Sequence, residues 1–523
     1  MNNPSLISRF PESRRALAFL FIAAAIILFF TAMASPYYIL DEVRNGQAAR
    51  EMFEKGEWIV PTFNGELRPQ KPPLHYYFMH LAFSVLGTTA FAARFFSVVM
   101  GLLTLLVTYY FTKRFANARA AFWSVAVLVS SVHFLLEFHL SVPDPYLIFF
   151  FALALYGFYG FYVENKIIWL IISAVSLGLA TLAKGPVAIL LAGFIYFCWI
   201  LINQPKKFLS FYWLLYAAIT LLVAAPWFFL VHKATNGNFT RLFFFEQNLG
   251  RFSGAMEGHG GIFLIVPLIA FAGMLPFSVF IPAAIRSRSF RFKGLNLFSA
   301  LAAVVVITFF CFSQTKLPNY AMPAYPFIAI FLGDWISKAL NKGLRIKPYA
   351  FYVLFVLYLL MLAGAIFALR AEKALASETY YAIVFLLPVF TLIIIIQNYY
   401  KSSFSGHLSR LTWGFIVFNF IVLAIVYPAI YRKNPIDKTI GILDREQQVY
   451  AYEIYNPAYN FRLDKPVIIL KTADEVKEKL KDPSVKIISR ENLLPNLDTS
   501  TFRILAREKD LFENPVTVII GGK

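Results

Sequence analysis

The chain has 523 residues, of which 59% are hydrophobic, 18% aromatic and only 15% charged. Apolar runs near twenty residues recur throughout, a pattern that excludes an ordinary water-soluble enzyme. The formal net charge of +19 does not signal nucleic acid, because much of the basic excess lies in short loops between apolar runs and no basic, aromatic-interleaved module accompanies it.

Hydropathy predicts about thirteen membrane spans, roughly 16–35, 90–112, 119–136, 145–163, 167–182, 185–203, 208–231, 261–284, 295–312, 318–339, 348–370, 379–399 and 410–429. The first follows Arg9, Arg14 and Arg15 and has no convincing cleavage site, so it reads as a retained anchor rather than a signal peptide. One set of loops carries Lys113, Arg114 and Arg119; Lys206 and Lys207; Arg286, Arg288, Arg291 and Lys293; and Lys342, Arg345 and Lys347. The positive-inside rule makes that side cytoplasmic, together with the basic N-terminus. Cys198 and Cys311 lie in or beside spans and on opposite faces, which predicts no disulfide framework.

Two outer loops are long. The first, about 36–89, begins with Asp41-Glu42-Val43-Arg44 and predicts a short interfacial helix that Asp41 caps and Gly56 closes. The same loop holds Gln70-Lys71-Pro72-Pro73-Leu74-His75. The second, about 232–260, carries Glu246, Asn248, Arg251 and His259. Asp144 in a Pro-Asp-Pro turn, Lys184 in Ala-Lys-Gly-Pro and Lys316 in Lys-Leu-Pro-Asn-Tyr fall on the same outer face. Charged groups beside a bilayer are costly unless used, and here they gather on one side by a rule that did not use them. After Tyr431 the composition changes. Residues 432–523 read as a small soluble α/β domain, with strands at 448–454, 467–470, 485–489, 502–506 and 516–520 and a helix at 473–480.

The ordered series Leu-Asp-Glu-Val-Arg, Lys-Pro-Pro-Leu-His-Tyr-Tyr, Pro-Asp-Pro, Ala-Lys-Gly-Pro, Ala-Pro-Trp, Asn-Leu-Gly-Arg-Phe, His-Gly-Gly and Lys-Leu-Pro-Asn-Tyr-Ala-Met-Pro-Ala-Tyr-Pro covers most of 36–333. It resembles the aminoarabinose transferases of lipid A, within the wider polyprenyl-phosphate sugar transferases that include the protein O-mannosyltransferases. The resemblance implies a mostly α, polytopic membrane protein of GT-C type, with residues 1–431 as the catalytic membrane domain and 432–523 as an extracytoplasmic domain. It implies an inverting single displacement on the periplasmic face of a bacterial inner membrane, from a polyprenyl (undecaprenyl) phosphate sugar to lipid A or another envelope glycan or protein acceptor.

Such a step uses a carboxylate on the acceptor and cations on the leaving phosphate. The resemblance implies Asp41, with Glu42 as partner, for the first task, and Lys71, Lys184, Arg251 and Arg44 for the second. Asp144, His75, Glu246 and Lys316 would position substrate. The family commonly has Glu where this chain has Gln70, and that Glu is associated with a bound metal together with a His like His259. An amide is a poorer ligand for a divalent transition metal, so no metal site is expected. A protein O-glycosyltransferase of the mannosyl type is the alternative enzyme. A lipid-linked sugar transporter would instead place ionisable groups near the membrane midplane, in repeated broken helices, and no repeat is visible.

Overall fold

The computed structural model describes residues 13–205, 210–250, 261–287, 293–343, 347–443 and 448–523. Arg9, Lys206, Lys207, Arg251, His259, Arg288, Arg291 and Arg345 lie outside the described residues. The chain is mostly helical. Nine described helices are long and apolar enough to cross a membrane: α1 (Arg14–Ala34), α4 (Ala90–Phe115), α7 (Asp144–Glu164), α8 (Ile167–Lys184), α10 (Tyr212–Ala234), and those at Leu295–Phe312, Tyr349–Ala371, Lys373–Gln397 and Phe404–Tyr431.

The other four predicted spans differ in form. Residues 119–136 divide into α5 (Ala118–Ser130) and α6 (Val132–Glu137), because Ser131 ends one helix and its hydroxyl caps the next by accepting from the Phe134 N–H at 3.1 Å. Helix α9 (Val187–Asn203) has 17 residues. The run at 261–284 is a pair of helices bent by 108°. A 3-10 turn, Pro318–Ala324, opens the run that continues as Tyr325–Asn341. Hydropathy sees apolar length; it does not see these breaks.

Local chemistry sets the helix ends that matter for the site. Asn165 closes α7 in a left-handed conformation, and α8 returns antiparallel beside it. The two helices approach closely at Gly157, where a Cβ would sit 2.8 Å from the Ser173 N and the Trp169 O. Gly185, at φ +95°, stops α8 immediately after Lys184, a backbone geometry that favours glycine. The first residue of α7, Asp144, and the last of α8, Lys184, are thereby brought side by side.

The first outer loop holds α2 (Leu40–Glu54), a two-stranded hairpin of β1 (Thr62–Phe63) and β2 (Glu66–Leu67), and α3 (Leu74–Leu86). Most of α2 is buried. The C-terminal sheet has β3 (Tyr450–Tyr452), β4 (Ile468–Leu470), β5 (Lys486–Arg490), β6 (Phe502–Lys509) and β7 (Val516–Gly522) in the order β4-β3-β5-β7-β6. Pairing is parallel among β4, β3 and β5 and antiparallel across β5, β7 and β6. A helix at Ala473–Lys479, opened by a Thr472/Glu475 capping box, connects β4 to β5.

This sheet domain is fastened to the first outer loop. Arg50 of α2 donates to the carbonyls of Asn460 (2.8 Å) and Phe461 (3.1 Å) and pairs with Asp464. Asn64 in the hairpin turn accepts from Asn460 and the Val467 N–H and donates to the Val467 carbonyl. Lys509 pairs with Glu372 at 2.9 Å.

Candidate active site

Helix α2 starts at Leu40, two residues earlier than a capping Asp41 requires, and its N-cap Ile39 makes no side-chain bond. Asp41 is therefore in the first helical turn, with its side chain 46% exposed. Its carboxylate lies 3.7 Å from Lys71 Nζ and 3.8 Å from Arg68 Nη2. Arg68 is buried and held by Asn45 Oδ1 at 3.0 Å and the Tyr76 hydroxyl at 3.3 Å.

Asp41 lines a chamber of about 860 Å³ together with Arg44, Arg68, Gln70, Lys71, Lys184, Asn319 and Tyr320. A second, apolar cleft of about 360 Å³ runs between Leu190, Phe243, Phe244, Leu249, Phe309 and Phe310. The two share Gln70, Lys71, Lys184, Gln247 and Tyr320. A greasy arm and a polar room thus meet at two ammonium groups. Lys184 pairs with Asp144, and its Nζ sits 5.4 Å from the centre of the Tyr320 ring. Gln70 Oε1, Asp144 Oδ2 and Asn319 Oδ1 are buried with no hydrogen-bond partner among the described residues.

The predicted residues Asp41, Arg44, Lys71 and Lys184 all line the chamber, and Asp144 stands directly behind Lys184. Others do not line it. Glu42, one residue from Asp41, is fully buried and takes a bidentate pair from Arg94 at 2.6 and 2.7 Å, plus the Ser141 N–H at 3.0 Å. His75 is buried with its ring 3.9 Å from the Tyr76 ring, and burial, aided by Lys71 and Arg68, holds its pKa well below the usual histidine value. It stays neutral at pH 7. Glu246 is exposed near Arg241, and Lys316 bonds the Ser313 carbonyl. Arg251 and His259 lie outside the described residues.

Sequence reasoning passed over Arg68, Arg94 and Glu137. The signal for the last two was available: each is an ionisable residue in or beside an apolar run. Glu137 is buried at the end of α6, outside the nine long helices, and feels Asp144, Lys184 and Asp41. Burial first, and the Asp144 carboxylate second, push its pKa up from 4.5 to about 8. The folded protein then binds a proton here that the unfolded chain releases, so this group's contribution makes stability fall as pH rises from about 4.5 to 8. Glu137→Gln removes that contribution. Thermal midpoints in detergent should therefore favour the variant increasingly from pH 5 to 8; a difference independent of pH would refute the raised pKa.

At Gln70 the available donor is an amide oxygen, and among the described residues no three His, Cys, Asp or Glu side chains are grouped to hold a metal. An amide oxygen is a poorer ligand for a divalent transition metal than a carboxylate.

The profile of the dolichyl-phosphate-mannose-protein mannosyltransferase family matches residues 18–237. An uncharacterised protein of Aquifex aeolicus (strain VF5) is 24% identical over 467 residues, covering 87% of this chain and 88% of its own. The undecaprenyl phosphate-alpha-4-amino-4-deoxy-L-arabinose arabinosyl transferase of Pseudomonas aeruginosa (strain PAO1) is 28% identical over 338 residues, 63% of this chain and 61% of that protein. The crystal structure of ArnT from Cupriavidus metallidurans bound to undecaprenyl phosphate is similar in fold, with a TM-score of 0.77 over 97% of this chain and 98% of that one, at 20% identity.

Proposed function

We propose that this chain, a multi-pass membrane glycosyltransferase of the GT-C, ArnT-like kind, transfers a sugar from polyprenyl phosphate to lipid A or a related envelope glycolipid. The carrying observation is the meeting of the apolar cleft and the polar chamber at Lys71 and Lys184, with Asp41 3.7 Å from Lys71. A polyprenyl tail matches the cleft, its phosphate the two ammonium groups, and its sugar the room beyond.

In this reading an acceptor oxygen attacks the anomeric carbon while the bond from that carbon to the phosphate oxygen breaks. The electron pair stays on the lipid phosphate, where Lys71 and Lys184 stabilise the added charge. Asp41 takes the proton of an acceptor hydroxyl; an acceptor phosphate, already anionic, it would only orient. A single displacement of this kind inverts the anomeric centre. Asp144 pairs with Lys184 and holds it in place. Glu42, paired with Arg94, belongs to the scaffold. We place the chamber on the periplasmic face of a bacterial inner membrane, in line with the basic loops on the other side.

The test is transfer by the purified protein in detergent, from a panel of polyprenyl-phosphate sugars to lipid A. A sugar-modified lipid A and free polyprenyl phosphate, formed one for one, are expected. The family profile favours a second reading, a protein acceptor. Donor consumption with peptide glycosylation and no lipid A product would replace the first reading with the second.

A further inference from the structure

The chamber's far wall comes from the C-terminal domain. Beyond Asp41, Arg44 follows on α2 at the i+3 position, the same helix face. Opposite it stand Leu511, Phe512 and Glu513 of the turn between β6 and β7, with Tyr38 and Tyr431 alongside. None of these residues lines the apolar cleft.

The turn is built to hold one shape. Buried Asp510 accepts from Arg490 at 2.8 Å, Asn456 at 3.0 Å and Thr517 at 2.6 Å. Its N–H donates to the Pro515 carbonyl at 2.9 Å, and the Leu511 N–H donates to the Tyr38 hydroxyl at 2.9 Å. Within this frame Phe512 sits at φ +62°, a left-handed conformation that a bulky aromatic rarely adopts. It gains little burial in exchange, being 54% exposed, and its ring is 5.9 Å from that of Tyr431. Strain without burial, on a wall of a reaction chamber, points to a ligand rather than to the core. Glu513 is half-buried and close enough to Arg44 for the two charges to act on each other.

We propose that the turn Asp510–Pro515 is a saccharide-binding wall for the acceptor, with the Phe512 ring against a sugar face and the Glu513 carboxylate accepting from its hydroxyls. The proposal rests on the transferase reading above. In that reading the leaving phosphate is at Lys71 and Lys184, and an in-line attack must come from the other side of the donor sugar. Lys71 neighbours Asp41 at 3.7 Å, Arg44 shares the α2 face with Asp41, and Glu513 feels Arg44. The acceptor's place is therefore the C-terminal end. Aromatic faces beside a carboxylate and a guanidinium suit a sugar's apolar face and its hydroxyl rim.

The full-length variants Phe512→Gly and Glu513→Gln test this in steady-state transfer to lipid A, with donor and acceptor varied separately. Each should raise the acceptor KM about tenfold while donor KM and kcat stay within about twofold, the mark of lost uniform binding. Phe512→Gly relieves the left-handed strain, so its thermal midpoint should be unchanged or raised. An unchanged acceptor KM, an effect confined to the donor KM, or a lowered midpoint for Phe512→Gly overturns the proposal. If the wild type itself transfers nothing to lipid A, the underlying reading fails and the proposal falls with it.

Discussion

Asp41→Asn is expected to lower kcat for sugar transfer by about 10²–10⁴, the usual contribution of a positioned general base. The substitution is nearly isosteric, the side chain is half-exposed, and it caps no helix, so the fold should not register the change. The effect on the donor has a definite sign. Asp41 lies within 4 Å of Lys71 and Arg68 and offsets part of their charge. Neutralising it leaves more positive potential for the lipid phosphate, so donor KM should stay level or fall. A variant with a raised donor KM and unchanged kcat would remove Asp41 from the chemistry. A kcat loss below about tenfold would assign it to orienting an acceptor that is already anionic.

Arg94→Met is expected to destabilise the protein by about 3–5 kcal/mol, the range for breaking a buried ion pair from one side. Glu42 and Arg94 are both essentially inaccessible, and Arg94 also donates to the carbonyls of Ala32, Ser35 and Pro36. The variant strands a carboxylate in the protein and frees three carbonyls at the end of α1. Adding Glu42→Gln to Arg94→Met should recover part of the loss, since the stranded charge is then gone. Thermal unfolding in detergent reads both. If either variant unfolded like the wild type yet transferred no sugar, Glu42 would return to the catalytic group.

The membrane architecture was legible because apolar length is written locally; every predicted run contains helix among the described residues. The breaks were less so, since Ser131 ends one helix and begins the next without interrupting hydropathy. Within the site, Asp41, Lys71 and Lys184 could be placed on one side by topology alone. Side-chain direction was not legible. Asp41 and Glu42 are adjacent in sequence, yet one helical step of about 100° sends one to the chamber and the other to Arg94. Arg68 and the Phe512 turn escaped for a different reason. Their importance comes from contacts across long sequence separations, such as Tyr38 with Leu511, and no local pattern encodes those.

The clasp of Arg50 on the carbonyls of Asn460 and Phe461 joins segments about 410 residues apart. At a synthesis rate of about 5–20 residues per second, the first outer loop waits roughly 20–80 s for its lid to be made. Until then Arg50 has no clasp and the chamber lacks its far wall. A chain cut before Asn460 should therefore lack both the Arg50 clasp and the part of the chamber lined by Leu511, Phe512 and Glu513.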